Sequence, residues 1–353
     1  MRIAHPTVLL TGASGVVGRA LIDELSPDHR IICLRHRRDL ADPRVHEVTG
    51  SLDEPLLGLT PHDYDRLTAG VDLVVHAAAA TNWKASAEAI RETNVAGTRA
   101  MLALAERADA PMVYVSTAFV ANPPAGANGQ FASARAYIAS KAEAEQSTRD
   151  SAVPTVIVRP SVVIGDSRDG HMAAFQGLHR VAGLIAQGMV PLIACDEDVL
   201  VDTVPQDVVA AAIGRVVRER HTAGELWLTA GSTAMTAGDI LGSSLRLGHE
   251  LGLDPAAPRF IPAEAVDRLL LPLMADAISP ALRQMFAELL EMTWLFQMPA
   301  ALPTSLPELG LGAAVTRQRL QRAFDLSLGF WADVKGLRPA FGDEDADEPE
   351  LAS

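Results

Sequence analysis

Two side chains spaced four residues apart are suited to acid–base chemistry. Tyr137 and Lys141 lie in the segment Tyr-Ile-Ala-Ser-Lys, within a stretch that is predicted to be helical. Residues four apart share a helix face, so the phenol and the ammonium can point into one cleft. A tyrosine of reference pKa ~10 becomes a usable acid or base once a nearby positive charge stabilises its phenolate. The same spacing also occurs on solvated helix faces, so the surroundings of the pair decide its meaning.

A glycine-rich turn near the start of the chain is suited to binding a dinucleotide. The apolar run Val8–Thr11 predicts a buried parallel strand, and Gly12, Gly15 and Gly18 follow it. Apolar positions with helical period then resume over residues 19–25. Glycines let the backbone turn tightly and approach a pyrophosphate, while the unpaired N–H groups at a helix start hold negative charge. This order of strand, turn and helix predicts a Rossmann unit.

The next predicted strand ends in a basic segment. Residues 30–34 form an apolar run, and Arg35-His36-Arg37-Arg38 follows directly. At this strand end an acidic side chain suits the free 2′-hydroxyl of NAD, whereas an arginine suits the 2′-phosphate of NADP. Guanidinium groups pair well with phosphate. We therefore expect NADPH, with Arg35 as its first phosphate ligand and Arg38 as its second. The alternative is a solvated basic turn.

The rest of the first two thirds of the chain alternates predicted strands and helices. This pattern is typical of an α/β fold with a doubly wound parallel sheet. Strands are predicted at 45–49, 71–76, 112–117 and 155–159, the last closed by Pro160, and a long helix at 88–108. Ligands of such sheets bind beyond the carboxyl ends of the strands. Gly12, Arg35, Ala77 and Thr117 are therefore expected to lie along one edge of the sheet.

Composition limits the class of partner and compartment. The 353 residues carry a formal net charge of −14, which argues against a nucleic-acid partner because phosphates demand a broad basic face. Cys33 and Cys195 suit neither a metal site nor a disulfide framework, and Cys33 is expected in the core. The N-terminus does not resemble a secretory signal, and the apolar helices carry charges before they reach membrane-spanning length. We expect a soluble, cytoplasmic protein.

The pattern changes near residue 235, where helices broken by prolines begin. We expect an NADP-binding Rossmann domain over 1–234, with some substrate-side segments after about residue 165, and a smaller helical substrate lobe over 235–340. Helices are predicted at 237–251, 263–275, 280–296 and 316–330. Apolar side chains within 269–274 and 285–296 suit an acyl tunnel, a dimer contact or ordinary helix packing, and packing is expected for most of them. The acidic tail 341–353 is expected to be disordered.

Taken together, these motifs resemble the extended short-chain dehydrogenase/reductase superfamily. The resemblance rests on TGASGVVG, the HAAA strand end, Asn94 in ETNVAGT, YVST and YIASK. It implies that Thr117, Tyr137 and Lys141 form a catalytic triad. Tyr137 would be the proton donor, Thr117 a second hydrogen-bond donor to the substrate oxygen, and Lys141 a ribose ligand that also lowers the tyrosine pKa. In this superfamily the residue at Asn94 mostly braces the sheet.

Finer motifs are similar to the thioester reductases, which include reductase domains of nonribosomal peptide synthetases and carboxylic acid reductases, and the fatty acyl-CoA reductases. They are VVHAAAATNW, NVAGTRAMLALA, YVSTAFV and RPSVVIGDSRDG. This resemblance implies reduction of an acyl thioester, carried by coenzyme A or an acyl or peptidyl carrier protein, to an aldehyde. A second hydride would give an alcohol. The chain has Gly50-Ser51-Leu52 where many relatives have Gly-Asp-Leu, so the adenine contact of that aspartate lacks a direct counterpart, although Asp53 is close.

The cofactor is expected to be held by a set of turn, strand-end and helix residues. They are Thr11, Gly12, Ser14, Gly15, Val16, Val17, Gly18, Arg35, Arg38, Ala77, Ala78, Ala79, Asn94, Tyr137, Lys141, Pro160, Ser161, Val162 and Val163.

Two other functions stay open, together with the question of a carrier partner. An extended-family enzyme acting on a sugar nucleotide or a ketone would share the cofactor and the triad. A non-catalytic NADP sensor would typically lose the Tyr137–Lys141 pair, which this chain retains. Because carrier proteins are commonly acidic, docking one would need a local basic patch. Arg215, Arg218 and Arg220, near the end of a predicted helix, suit such a patch and equally suit an ordinary exposed helix end.

Overall fold

The buried apolar runs of the sequence form one parallel sheet. The computed structural model describes residues 5–81, 86–121, 132–262, 297–298 and 300–338. Seven strands pair in parallel in the order β11-β6-β5-β4-β1-β2-β3. They are β1 Thr7–Thr11, β2 Arg30–Arg35, β3 Val45–Thr49, β4 Leu73–His76, β5 Met112–Val115, β6 Thr155–Pro160 and β11 Gly224–Leu228. The predicted α/β class with a doubly wound sheet is confirmed.

The strand order reverses direction at β1. Val8 of β1 lies opposite Ile31 of β2 on one side and opposite Leu73 of β4 on the other. The chain therefore builds one half of the sheet outward from β1 and then returns to build the other half from β4. In open parallel sheets, the crevice beyond the carboxyl ends of the strands at such a reversal is where ligands bind. The sheet thus places a binding crevice next to the glycine turn.

Helices cover both faces of the sheet. They are α1 Val16–Leu25, α2 Pro61–Thr68, α3 Ala87–Arg91, α4 Gly97–Ala108, α5 Ala132–Arg149, α6 Gly177–Ala186, α7 Gln206–Arg218, α8 Ala237–Glu250 and α9 Arg317–Val334. Alternate residues of β1 enter two separate apolar clusters. Leu10 packs with residues of α1 and α7, whereas Leu9 packs with residues of α2 and α4. This is the side-chain alternation that a strand buried on both faces requires.

The long helix predicted over 88–108 contains an irregular turn. Helices α3 and α4 are joined by a π-helical segment over Glu92–Ala96, so the helical path is continuous but is wound more widely at this point. A π-turn places one extra residue in the helix and commonly marks a functional position. Asn94, in the middle of the segment, is buried.

The C-terminal part of the chain packs against the same core as the sheet. The predicted helices at 237–251 and 316–330 are confirmed as α8 and α9, which pack with α6. Gly183 of α6 lies under Trp331 of α9, and a Cβ at Gly183 would overlap the indole ring. The helices predicted at 263–275 and 280–296, their apolar patches and the acidic tail lie outside the described residues. The domain boundary near residue 235 stays a prediction.

Short strands link the sheet to the C-terminal part. β7 Val162–Ile164 pairs with β10 Thr203–Pro205, and β8 Leu192–Ile193 pairs with β13 Arg259–Phe260. β9 Leu200–Val201 lies between β12 Met235–Thr236 and β14 Gln297–Met298.

None of the helices among the described residues is both long and apolar enough to cross a membrane.

Two histidines are fully buried, one at the end of β4 and one on α6. His76 ends β4, and burial lowers its pKa to about 3. His179 lies on α6, where burial lowers its pKa to about 4 and where its Nε2 is 2.7 Å from the Ser327 hydroxyl of α9. Both rings are therefore neutral in the folded protein at physiological pH.

Acidification is expected to destabilise the fold through these two histidines. Because both pKa values lie below the unfolded value of about 6.5, their contribution to stability is complete above that pH and is lost as pH falls toward 4 and 3. While only the unfolded chain takes the proton, each histidine lowers the free energy of unfolding by about 1.4 kcal/mol per pH unit. Urea titrations between pH 6.5 and 5 would measure this slope.

The variant His179→Gln should flatten that slope by about 1.4 kcal/mol per pH unit, because its amide does not titrate. The variant His62→Asn removes an exposed histidine and serves as the matched control, with no change of slope expected. Equal slopes for His179→Gln and the wild type would contradict this account.

Candidate functional site

The turn between β1 and α1 is too tightly packed for side chains at two of its glycines. Gly12 has φ +73°, and a Cβ there would lie 2.6 Å from the carbonyl carbon of Ala77. A Cβ at Gly18 would clash with the Gly12 carbonyl oxygen and lie 2.6 Å from the Cα of Ala13. Gly15 forms the N-cap of α1 and supplies no side-chain cap. The N–H groups that start α1 are therefore left for a ligand.

A cavity of about 670 Å³ opens at this turn, beyond the carboxyl ends of β1, β2 and β4. Its volume lies within the range of small-molecule and cofactor sites, about 300–1,000 Å³. Its walls are formed by the glycine turn, the basic strand end, the segment after β3, the end of β4 and the segment before α6. The lining residues are 11–18, 34–38, Leu40, 50–53, 77–79, Thr81, Thr93, Val115, Val163 and 174–176.

Most of the residues predicted to hold the cofactor line this cavity. Those found there are Thr11, Gly12, Ser14, Gly15, Val16, Val17, Gly18, Arg35, Arg38, Ala77, Ala78, Ala79 and Val163. Asn94, Tyr137, Lys141, Pro160, Ser161 and Val162 are not part of its lining. The last three are buried, and two of them are fixed by backbone hydrogen bonds, from Ser161 to Leu228 and from Val162 to Asp202.

Sequence reasoning missed several lining residues, of which Phe175 and Gln176 are the most informative. They lie just before α6, and Phe175 contacts the ring of Phe330 in α9, with ring centroids 5.9 Å apart. Because that contact joins residues far apart in the chain, no local pattern indicates it. Ser51, Leu52 and Asp53 also line the cavity, so the segment after β3 does reach the site although it lacks the Gly-Asp-Leu pattern.

The basic strand end divides into one paired and two unpaired arginines. Arg35 is half-buried; its Nη2 donates to the Thr49 hydroxyl at 2.7 Å, and its Nε lies 3.2 Å from a carboxylate oxygen of Glu47. Arg37 and Arg38 are exposed at the cavity, and no described residue forms an ion pair or a hydrogen bond with either side chain. The two exposed guanidinium groups are available to an anionic ligand.

Thr117 and Tyr137 meet beside the end of β5. Thr117 is buried two residues after that strand, and Tyr137 is half-buried on α5. Burial raises the pKa of Tyr137 to about 12, and a hydrogen bond with the Thr117 side chain opposes that rise. The Thr117 hydroxyl also accepts the N–H of Phe119 at 3.3 Å. The structure therefore brings together the two residues that were predicted to share the substrate oxygen.

Lys141 lies one helical turn after Tyr137 and is almost completely buried, with 1% of its surface exposed. Its Nζ donates to the carbonyl of Val115 at 2.8 Å and lies 4.4 Å from the centre of the Tyr114 ring. Burial lowers the pKa of Lys141 to about 7, and the negative charge of Glu145 opposes the fall. Val115 lines the cavity, so the lysine head lies directly behind the cavity wall.

Asn94 braces the elements around the site. Its Oδ1 accepts the N–H of Ala80 at 2.7 Å, and its Nδ2 donates to the Ala80 carbonyl and to the Ser140 hydroxyl. Ser140 in turn donates to the carbonyl of Tyr137 at 2.7 Å. The π-turn therefore links the end of β4 to the helix that carries Tyr137 and Lys141. This bracing contact agrees with the role implied for Asn94 by the family resemblance.

A chain of hydrogen bonds under the cavity floor fixes the tautomer of His76. Thr98 donates its single hydroxyl proton to the Asn94 carbonyl at 2.6 Å, so it must accept from His76 Nε2 at 3.2 Å. His76 Nδ1 then accepts from the Thr11 hydroxyl at 2.7 Å. Thr11 Oγ1 also accepts the N–H of Ala78 at 3.2 Å. The end of β1, the end of β4 and the start of α4 are thereby held in fixed alignment.

The predicted basic patch at the end of α7 is largely neutralised. Arg218 lies 2.5 Å from a carboxylate oxygen of Glu24 and 2.7 Å from one of Asp28. Arg215 forms an ion pair with Glu219 at 2.7 Å. Arg218 therefore joins α7 to α1 and the residues after it, and Arg215 pairs within the end of α7 itself, which agrees with the interpretation of this segment as an ordinary helix end.

Comparison with known proteins identifies a matching family and several relatives. The family model described as male sterility protein (NAD_binding_4) matches residues 34–213, which is 180 of the 353 residues. Glycine betaine reductase ATRR of Emericella nidulans is 38% identical over 150 residues, or 35% of this chain. The polyketide synthase-nonribosomal peptide synthetase ffsA of Aspergillus flavipes is 30% identical over 191 residues, or 46% of this chain. The chain spans only 12% and 5% of these two relatives.

Solved structures match a larger share of the chain. The terminal R domain from the myxalamid PKS-NRPS biosynthetic pathway is 25% identical with a TM-score of 0.72, covering 95% of this chain and 92% of that one. The R domain of a nonribosomal peptide synthetase from Mycobacterium tuberculosis is 21% identical, with a TM-score of 0.63 over 94% and 92%. The Bordetella bronchiseptica enzyme WbmG in complex with NAD and UDP is 19% identical, with a TM-score of 0.66 over 98% and 100%. The last two likenesses show the fold alone.

The β1–α1 turn is expected to reject a side chain at Gly18 and to tolerate one at Gly15. A Cβ at Gly15 would lie 3.2 Å from the Gly12 carbonyl oxygen, which a small shift can relieve. Replacing a helical glycine by alanine normally stabilises a helix by about 1 kcal/mol, so a loss at Gly18 would report the clash directly. Calorimetry of the ligand-free protein should show the melting midpoint of Gly18→Ala lowered by about 1–4 °C. Equal midpoints for Gly15→Ala and Gly18→Ala would contradict the packing described here.

Proposed function

The chain belongs to the male sterility protein family, in the thioester reductase branch of the extended short-chain dehydrogenases/reductases, and we propose that it reduces an acyl thioester with NADPH. The observation that carries the proposal is the meeting of Tyr137 and Thr117 beside a dinucleotide-sized cavity, with Lys141 behind the wall of that cavity. The likeness to the myxalamid R domain, which covers 95% of the chain, supports the choice of a thioester as substrate.

The residues of the cavity fit a nicotinamide dinucleotide. The backbone at Gly12 and Gly18 leaves no room for a Cβ, as expected where a turn must stay flat beneath a pyrophosphate. The uncapped start of α1 offers N–H groups to the phosphates. Arg37 and Arg38 offer positive charge at the ribose end, and Arg35 lies next to them. When bound, the cofactor would supply a hydride to the carbonyl carbon of the substrate.

Each member of the triad has a defined task in that reaction. Negative charge that develops on the carbonyl oxygen is stabilised by hydrogen bonds that are already in place, which lowers the barrier more than it tightens substrate binding. Tyr137 and Thr117 are positioned to donate them, and Tyr137 then transfers its proton to the oxygen. The ammonium of Lys141 favours loss of that proton by stabilising the phenolate.

Collapse of the resulting hemithioacetal breaks the carbon–sulfur bond, expels the thiol and leaves an aldehyde. The thiol can belong to coenzyme A or to the pantetheine arm of a carrier protein. The neutralised arginines at the end of α7 offer no strong basic surface for an acidic carrier, so a free coenzyme A thioester is the first substrate to test. A second round of hydride transfer would convert the aldehyde to an alcohol.

Cofactor selectivity is expected to depend on the arginines after β2. Loss of a charge-assisted contact to the 2′-phosphate should weaken NADPH binding by about 10–100-fold and leave NADH binding nearly unchanged. Isothermal titration of both cofactors with Arg35→Ala and Arg38→Ala would measure the difference. Arg44→Ala is the matched control, because that exposed arginine pairs with Asp42 and lies outside the cavity lining. Equal losses of affinity for NADPH and NADH would contradict the proposed contact of these arginines with the 2′-phosphate.

Thioester reduction is expected to depend on the triad. With NADPH and a panel of acyl-CoA and acyl-pantetheine thioesters, the purified protein should consume NADPH and release an aldehyde or alcohol, identified by mass spectrometry. Tyr137→Phe should keep NADPH affinity within about threefold, while turnover falls by about 10²–10⁴-fold. Tyr64→Phe, a buried tyrosine on α2 outside the site, should turn over like the wild type.

The other outcomes of this assay separate the remaining functions. If the protein turns over a ketone or a sugar nucleotide but no thioester, the proposed substrate class is wrong and the proposed roles of the triad are retained. Tight NADPH binding without turnover of any of these substrates would favour a sensing role. Undiminished thioester turnover by Tyr137→Phe would overturn the assigned proton donor.

A further inference from the structure

A carboxylate with no assigned role lies buried next to the triad. Glu145 is on α5, one turn after Lys141, and only 2% of its surface is exposed. Its Oε1 accepts from the Ser116 hydroxyl at 2.6 Å and from Arg159 Nε at 2.8 Å. Its Oε2 accepts from a second nitrogen of Arg159 at 2.7 Å and from Arg149 at 2.8 Å. Every oxygen therefore has two donors, which is the condition for keeping a carboxylate ionised inside a protein.

These contacts join α5 to both strands beneath it. Arg159 is on β6 and is 4% exposed, while Ser116 directly follows β5 and precedes Thr117. Arg159 also donates to Glu225 of β11 at 2.6 Å, and its guanidinium lies 4.6 Å from the centre of the Trp227 ring. The network runs from the buried Glu145 to Glu225 at the surface.

The charges in this network balance in pairs. Glu145 and Glu225 face Arg159 and Arg149, so the four groups sum to zero. Burial opposes ionisation of Glu145, but hydrogen bonds from Arg159 and Ser116 hold the pKa of Glu145 below its ordinary value. The carboxylate is therefore ionised at neutral pH, although it lies inside the fold.

Lys141 is the functional group closest along α5 to that charge. Among the described residues, the groups that face Lys141 are Tyr137 and Glu145 on its own helix, Tyr114 and the Val115 carbonyl of β5, and His76 of β4, whose ring stacks on Tyr114. Arg159 of β6 lies beyond Glu145. His76 is neutral and Tyr114 is un-ionised, since burial raises the pKa of Tyr114 far above its ordinary value. Glu145 is thus the one anionic group among these neighbours.

We propose that Glu145 is a positioning residue for the reductase site, which favours the charged form of Lys141 and holds the strand end that carries Thr117 against α5. The proposal rests on the triad assigned under the proposed function. Glu145 acts through Lys141 and Ser116 and touches neither substrate nor cofactor. Its carboxylate offsets the cost of burying an ammonium, and its bond to Ser116 sets the distance between β5 and α5.

The lysine content of the chain makes the first half of this proposal directly measurable. The sequence has lysine only at positions 84, 141 and 335. Protein labelled with ¹³Cε-lysine therefore gives three side-chain signals by NMR, and Lys84→Arg and Lys335→Arg assign them. The pKa of Lys141, read from its signal in the full chain, should fall in Glu145→Gln by about one unit, because the opposing negative charge is removed.

The direction of the shift separates an electrostatic role from a merely structural one. If Glu145 only held elements together, its loss would loosen the site, admit water and raise the pKa of Lys141 toward its solvent value of about 10.4. An unchanged or raised pKa would therefore overturn the proposal. Glu225→Gln removes the carboxylate at the exposed end of the same network and is the matched control, with a much smaller shift expected.

A second variant covers failure of Glu145→Gln to fold. In Glu145→Gln/Arg159→Met the network of Glu145, Arg159, Arg149 and Glu225 keeps no unpaired buried charge, a change that proteins commonly tolerate. Arg149 and Glu225 still pair with each other in this variant. The pKa of Lys141 should again lie below that of the wild type, and a value at or above the wild-type one would overturn the proposal.

The same variants separate this proposal from the proposed function. With an active thioester substrate, the alkaline limb of the kcat profile should move to lower pH by the same unit in Glu145→Gln, since the deprotonated lysine no longer stabilises the phenolate. If no thioester is reduced but the Lys141 signal shifts as expected, the role of Glu145 stands and the substrate assignment fails. If thioesters are reduced and the Lys141 signal does not shift, the substrate assignment stands and the proposed role of Glu145 fails.

Discussion

An ammonium held at 1% exposure is the constraint on which the part of this molecule around Tyr137 and Thr117 depends. Lys141 has exchanged water for one carbonyl, one aromatic ring and one nearby carboxylate. Removing a charge from water is so costly that these partners must be held rigidly, or the proton would leave instead. The braces around α5 meet that demand: Asn94 fixes its first half through Ser140, and Arg159 fixes its second half through Glu145. The contacts that hold α5 rigidly therefore also hold the charged side chain of Lys141 in its buried position.

The parts of this architecture that follow from local pattern could be predicted from the sequence. The strand at 45–49 has its predicted bounds, although it lies at the edge of the sheet and is only partly buried. The other predicted strands agree within two residues, because strands buried on both faces are continuous apolar runs. The lining of the cavity by the glycine turn follows from parallel topology, since the carboxyl ends of neighbouring strands share one edge. The π-turn could not be predicted from the sequence, because one extra residue in a helix leaves the apolar period of the flanking turns nearly intact.

What the sequence could not provide is the pairing of residues that are far apart in the chain. Arg35 was predicted to be the first ligand of the 2′-phosphate, and the sequence did not indicate that Glu47 on the adjacent strand lies beside it. Arg218 was one of three residues considered for a docking patch, yet Glu24, 194 residues earlier, pairs with it. Phe175 reaches the cavity only because α9 supports it. Charge and shape at a surface depend on such partners, and they appear only once the sheet has brought distant segments together.

The contacts of the Ser327 hydroxyl limit the order in which segments of the chain can reach their folded positions. It accepts the N–H of Gly165 at 3.0 Å and lies 2.7 Å from His179, so it ties the segment that follows β6 to a helix made 162 residues later. During synthesis on a ribosome, the strands around the glycine turn can pair before that helix exists, since proteins generally fold from the N-terminal side. The wall formed by residues 174–176 can reach its final position only after α9 has emerged. The crevice is therefore built in two stages, and in a nascent chain the side at the glycine turn can form while the side at residues 174–176 is still open.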